Sequence, residues 1–145
     1  MKKRILYSIL MILILLQFIQ IDKSPIPIES SETFANQMNP PDEILAALKI
    51  ACYDCHSNET KYPWYTYVAP VSFWIRGHIK NGRNALNFST WNNLNEKDKK
   101  HALHECGEMI EDNHMPPKGY VRMHKKAHWN ESLKNTIIKW FNKNS

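Results

Sequence analysis

The chain is short of glycine, with four in 145 residues, while proline is plentiful at eight. That balance disfavours a β-sandwich and favours helices joined by stiff loops. No stretch alternates apolar and polar residues with the period of a half-buried strand, and no internal repeat is present. Charge of one sign is also scarce. The formal charge is +5, but Lys2, Lys3 and Arg4 supply three of those charges, leaving +2 (5 − 3) for the rest. This is too little to argue for a nucleic-acid partner. Cysteine is limited to Cys52, Cys55 and Cys106, and Cys106 has no close-spaced partner thiol. A structural zinc site of the usual spacing lacks its second half.

What is present begins with an apolar run from Ile5 to Ile21, diluted only by Tyr7, Ser8, Gln17 and Gln20. Behind three basic residues, it has the pattern of an export signal or a single membrane anchor. No A-x-A-like cleavage site and no lipobox cysteine follows, so an uncleaved anchor is expected, with a cleaved signal as the alternative. The basic end should stay in the cytoplasm, which puts the remainder on the periplasmic side of the inner membrane. Residues 22–39 are polar, carry Pro25 and Pro27, and read as a linker. The globular domain is expected over 40–145, at 43% hydrophobic residues overall ample for a core.

Four helices are expected there. Pro40-Pro41-Asp42-Glu43 opens the first, with Ile44, Leu45, Leu48 and Ala51 or Cys52 at helical spacing. Pro70 opens the second, whose apolar stripe is Val71, Trp74, Ile75, His78 and Ile79, with Gly82 as the stop. Asn95 caps the third, which carries Leu103, Cys106, Met109 and Ile110 and ends near Asn113. The last carries Leu133, Ile137, Trp140 and Phe141. Phe88 and Trp91 fall in a loop, and a basic loop runs on to Asn130.

The first helix delivers Cys52-Tyr53-Asp54-Cys55-His56 at its C-terminal end. This is C-x-x-C-H, the attachment signature of a c-type haem. Cys52 and Cys55 would form thioethers with the porphyrin vinyl groups, and His56 would be the proximal iron ligand. A redox dithiol, half a zinc site and a structural disulfide share the C-x-x-C spacing. A dithiol of the thioredoxin kind wants a βαβ context, which is missing, and a disulfide leaves His56 unexplained.

The motif does not stand alone. Ala51 to Thr60 (ACYDCHSNET), Tyr62-Pro63-Trp64-Tyr65, Val68-Ala69-Pro70-Val71-Ser72, Asn87-Phe88-Ser89 with Trp91, and Met115-Pro116 follow in order. In these segments the chain resembles the short bacterial haem-binding domain family of cytochrome c-like, membrane-tethered, Bacteroidetes-type proteins. The resemblance covers roughly residues 40–142. It implies one covalent haem c and an all-α, cytochrome c-like fold, and no particular reaction. Cys106 departs from it, standing where an apolar residue is expected.

The sixth ligand decides the function. Met115 is the first choice, because a methionine fixed by Pro116 some sixty residues after the haem motif resembles the axial loop of small c-type cytochromes. A thioether ligand favours Fe(II) and suits electron transfer to a redox partner protein in the periplasm or inner membrane. His78 is the alternative ligand, and His114 and Met123 are lesser ones. The remaining histidines, His101, His104, His124 and His128, read as solvated surface. Arg76, Arg83 and Lys61 are candidates for neutralising propionates. Trp64, Trp74, Trp91 and Trp140 are expected as pocket wall and core. If no side chain fills the sixth position, a five-coordinate peroxidase or gas or redox sensor takes the place of the carrier.

Overall fold

The computed structural model describes residues 1–145, and it is all-helical. Helix α1 spans Lys2–Leu16 and buries none of its residues. The apolar run reads as one helix to Ile21, but the helix stops at Gln17. The reason is local. The Gln17 side chain donates to Leu13 O at 2.7 Å and that of Gln20 to Gln17 O at 2.8 Å. The backbone N–H groups of Phe18 and Ile19 bond three residues back, closing a turn. At 1.5 Å per residue α1 is about 22 Å long, and no helix is long and apolar enough to cross a membrane. Beyond the turn the chain docks on the domain. Gln17 Nε2 donates to Ala69 O and its Oε1 accepts from Ala69 N–H, each at 3.0 Å. Ile21 is buried.

The segment expected as a linker supplies part of the core. After a short turn at Ser30–Glu32, Thr33 accepts the Asn36 N–H and caps α2, Phe34–Met38. Asn39 ends it in the left-handed conformation, φ 43°. Phe34 is 0% exposed. Its ring lies 4.9 Å from Phe88, 5.0 Å from Trp91 and 5.8 Å from Trp140. Phe88 and Trp91 sit on a 3-10 segment, Phe88–Asn93, opened by Asn87 accepting the Ser89 N–H at 2.9 Å. The aromatic core therefore draws on the chain ahead of Pro40. One aromatic in a polar stretch is a weak sequence signal, yet burying it contributes roughly 2–3 kcal/mol.

Helix α3, Asp42–Ala51, starts after Pro41 with Asp42 and Glu43 in its first turn, where carboxylates oppose the positive helix end. Ile44, Ala47, Leu48 and Ala51 are buried at helical spacing. Helix α4, Tyr53–His56, follows without a loop. After the 3-10 turn Trp64–Tyr67 comes α5, Val71–Ala85. Helix α6, Glu96–Glu111, is capped by Asn95 through the Asp98 N–H at 2.9 Å, and Asn113 turns left-handed just beyond its end. Helix α7 spans Lys118–Met123, inside the stretch expected as a basic loop. Helix α8, Glu131–Asn144, packs on α6 with Ile137, Ile138 and Phe141 buried. The two helices approach closely at Gly107, where a Cβ would fall 2.5 Å from Asn142 Oδ1, the movable end of a side chain.

Candidate functional site

The C-x-x-C-H segment is a separate turn and not the end of the preceding helix. Cys52, at φ −122° and ψ −38°, breaks the chain between α3 and α4. Its carbonyl still accepts the Cys55 and His56 N–H groups at 3.1 and 2.9 Å, so all three motif residues share one turn. Helix α5 packs against that turn. Gly82 is the point of approach. A Cβ there would lie 2.6 Å from Cys55 O and 3.1 Å from Cys55 Cβ. Gly82 thus serves contact and does not stop the helix, which runs on to Ala85.

His56 is half-buried, and its Nδ1 lies 3.1 Å from Leu86 O. A carbonyl oxygen only accepts, so Nδ1 carries the hydrogen and Nε2 keeps its lone pair. Burial lowers the His56 pKa below the ordinary histidine value, against the opposing carbonyl contacts of Leu86 and Gly82. The imidazole is therefore neutral, oriented and able to bind a metal through Nε2.

The thiols are pushed the other way. Burial raises Cys55 to about 11, with the Asp54 charge adding and Arg83 opposing. Burial raises Cys52 further, with Cys106 and Cys55 adding. Cys106 is pushed up to about 12, by burial and then by Glu105. All three are free thiols. Reactive dithiols need the opposite shift, toward ionisation. No group of three His, Cys, Asp or Glu side chains could hold a metal ion.

The turn is strapped from two directions. Arg83 Nε donates to Ser57 O at 2.8 Å and its NH2 group to Thr60 Oγ1 at 2.8 Å. That guanidinium, a candidate for propionate contacts in the sequence, ties α5 to the loop leaving the motif. Asp54 Oδ1 accepts the Lys61 N–H at 2.9 Å, and Asp54 O accepts the Thr60 hydroxyl at 2.7 Å. From α7, the Tyr120 hydroxyl reaches Asp54 Oδ2 at 2.8 Å. Burial raises the Tyr120 pKa, and this bond to Asp54 raises it further. His124 Nε2 lies 3.1 Å from the Tyr65 hydroxyl. His124, expected as solvated surface, is half-buried and bonded at both ring nitrogens. Sequence reasoning missed Tyr65, Tyr120 and His124 as members of this region. The Tyr120 and His124 spacing, i and i+4 after Pro117, was the available helical signal, masked by surrounding lysines.

The candidate distal residues are spread apart. His78 is exposed, with its ring 4.1 Å from Trp74, and does not belong to the core stripe expected of it. Along α5, Val71, Ile75, His78 and Gly82 share a face by spacing, and Trp74 borders it. Val71 and Trp74 are exposed, Trp74 by 60%. The face that reaches Cys55 through Gly82 is thus apolar and largely open. Ser72 and Ile79 are the buried residues of this helix. Trp64 is also exposed, by 73%, whereas Trp91 and Trp140 belong to the core or pack on it. Met109, expected in the core, is exposed.

Met115 is 37% exposed and follows α6, with its N–H donating to Met109 O at 3.0 Å. It lines a cavity of about 390 Å³ with Ile110, Val121, Ala127 and Trp129, and none of Cys52, Cys55 and His56 lines that cavity. A second cavity, about 430 Å³, lies beside Asp54 and is lined by Lys49, Lys61, Tyr120, His124, Lys125 and Lys126. His114 is exposed, and so is Met123.

The residues fit a haem. Two un-ionised thiols and a neutral imidazole with a free Nε2 occupy one turn, and an open apolar helix face adjoins it. Comparison with known families agrees. The haem-binding domain family matches residues 11–143, and the chain belongs to that family. No curated protein and no solved structure shows detectable similarity to it.

Proposed function

We propose that this haem-binding domain carries one haem c, attached through Cys52 and Cys55, and serves as an electron carrier. The single observation behind it is the His56 arrangement, with Nδ1 committed to Leu86 O beside two protonated thiols on the same turn. The haem would supply one-electron chemistry between Fe(III) and Fe(II). The protein's part is to fix the imidazole, to exclude water with the α5 face, and to limit movement around the iron. His56 does the first through Leu86. Val71, Trp74 and Ile75 serve the second.

Met115 is the sixth ligand in this proposal. Its support is chemical, a thioether on a loop whose following helix is bonded to Asp54 of the motif. His78 is the competing ligand, and one observation favours it: it stands one helical turn from Gly82, which touches Cys55. Optical spectra of the full chain, matured in a host that attaches haem c, separate the two. Met115 ligation gives a weak band at the red edge of the ferric spectrum and slow carbon monoxide binding to the ferrous form. Fast carbon monoxide binding without that band turns the proposal toward a five-coordinate peroxidase or sensor.

The proposal also places the domain on the periplasmic side of the inner membrane, tethered by its N-terminal segment, where it meets a redox partner protein. The support is α1, an apolar helix behind Lys2-Lys3-Arg4 with no buried residue. Such a surface does not stay in water. Protease added to spheroplasts should digest the domain, and carbonate washing should leave the intact chain in the membrane. Release by carbonate indicates signal cleavage instead.

A further inference from the structure

We propose that Asp54 and Tyr120 form a positioning pair that sets where Met115 stands relative to the haem iron, an inference that rests on Met115 being the sixth ligand. Asp54 is the second residue between Cys52 and Cys55 in the C-x-x-C-H turn. Its carboxylate accepts the Lys61 N–H at 2.9 Å and the Tyr120 hydroxyl at 2.8 Å, the nearer and charged of that hydroxyl's two acceptors, Ile50 O lying at 3.0 Å. A bond to an ionised acceptor is about twice as strong as one between neutral groups. Tyr120 is sixty-six residues away in the chain. It belongs to α7, which begins three residues after Met115.

The 114–117 loop is held at both ends. Upstream, the His114 and Met115 N–H groups bond Met109 O at the end of α6. Downstream, Met115 shares its cavity with Val121 and Arg122 of α7. Of these two supports, α7 is the one bonded to a residue inside the motif. A second bond seats the same helix. Tyr120 and His124 stack with centroids 4.0 Å apart, and His124 reaches the Tyr65 hydroxyl. Because His124 Nδ1 faces the Tyr120 carbonyl at 3.1 Å, Nε2 is left to accept from Tyr65. The turn that carries the proximal histidine and the helix that follows Met115 are thereby joined through one hydroxyl and one carboxylate. A shift of α7 would carry Met115 with it, while His56 keeps its own tether to Leu86 O.

Tyr120→Phe removes the hydroxyl and keeps the ring stacked on His124. The variant is compared with wild type as full-length, haem-loaded chain by two readouts. Amide hydrogen exchange of residues 114–123 should quicken about tenfold, the effect expected for one lost charge-assisted hydrogen bond. The ferric iron–sulfur band should weaken, and carbon monoxide should bind the ferrous form faster, toward the Met115→Ala rate. Covalent haem content should not change. Asp54→Asn, which removes the charge, should move both readouts the same way and by less, and it takes over the test if Tyr120→Phe does not fold.

Faster exchange with an unaltered band and carbon monoxide rate overturns the pair's role and leaves Met115 as ligand. So does unaltered exchange. A wild type that lacks the band overturns Met115 ligation itself, and the pair then has no ligand to position.

Discussion

His56 is half-buried, bonded to a backbone carbonyl at 3.1 Å, and sits on a turn that Arg83, Asp54 and Thr60 fasten to its surroundings. Met115 is 37% exposed, on a loop held by two backbone bonds to Met109 O and, through α7, by the Tyr120 contact with Asp54. One side of the proposed iron site is thus built before any haem arrives, and the other is loosely held. The difference follows from what each side must do. The attachment turn has to present two thiols and an imidazole together. The distal loop has only to close once the porphyrin is in place, and closing a short loop carries a small entropic cost. A preorganised proximal side and an adjustable distal side are what the proposed covalent attachment would require.

The largest test of that contrast removes the built side. The Cys52→Ala, Cys55→Ala double variant should lose covalent haem completely, read by haem staining after denaturing electrophoresis. Next is the packing that shapes the turn. Gly82→Ala puts a Cβ 2.6 Å from Cys55 O, which is backbone and cannot swing aside. It should destabilise the domain by roughly 1–3 kcal/mol, measured by urea denaturation, and reduce haem loading. The distal side should respond differently. Met115→Ala should leave stability within about 0.5 kcal/mol, as for other exposed positions. It should open the ferrous iron to carbon monoxide and lower the reduction potential, because a thioether ligand favours Fe(II). The smallest effect belongs to His78→Ala, which should change neither carbon monoxide binding nor potential. If His78→Ala alone opens the iron, the contrast is redrawn, with both ligands on or beside α5 and a bis-histidine carrier.

The two sides were also unequally legible in the sequence. Cys52, Cys55 and His56 are a fixed pattern at fixed spacing, and the structure sets them on one turn. The helix-forming segments around Leu48, Leu103 and Ile137 were equally plain, because local periodicity encodes a buried face. The misses share a physical cause. Phe34 lies in a polar segment and is buried by partners more than fifty residues away. Of the expected stripe Val71, Trp74, Ile75, His78 and Ile79, only Ile79 is buried, and Ser72 turns inward beside it, since tertiary packing and not amphipathic pattern alone selects the face. Helix α7 hid within lysines, and its seat depends on the Tyr120–Asp54 bond, which no local pattern announces. The apolar run at the N-terminus was visible, but the turn at Gln17 came from side-chain amides that bond back to the chain and across to Ala69.

The most direct test of covalent attachment is the intact mass of the full-length chain under denaturing, acidic conditions, after expression with the haem c attachment machinery. The account predicts a polypeptide heavier than its sequence by one haem, with no haem released into the acid solvent. A bare polypeptide mass with all haem in the extract would contradict it.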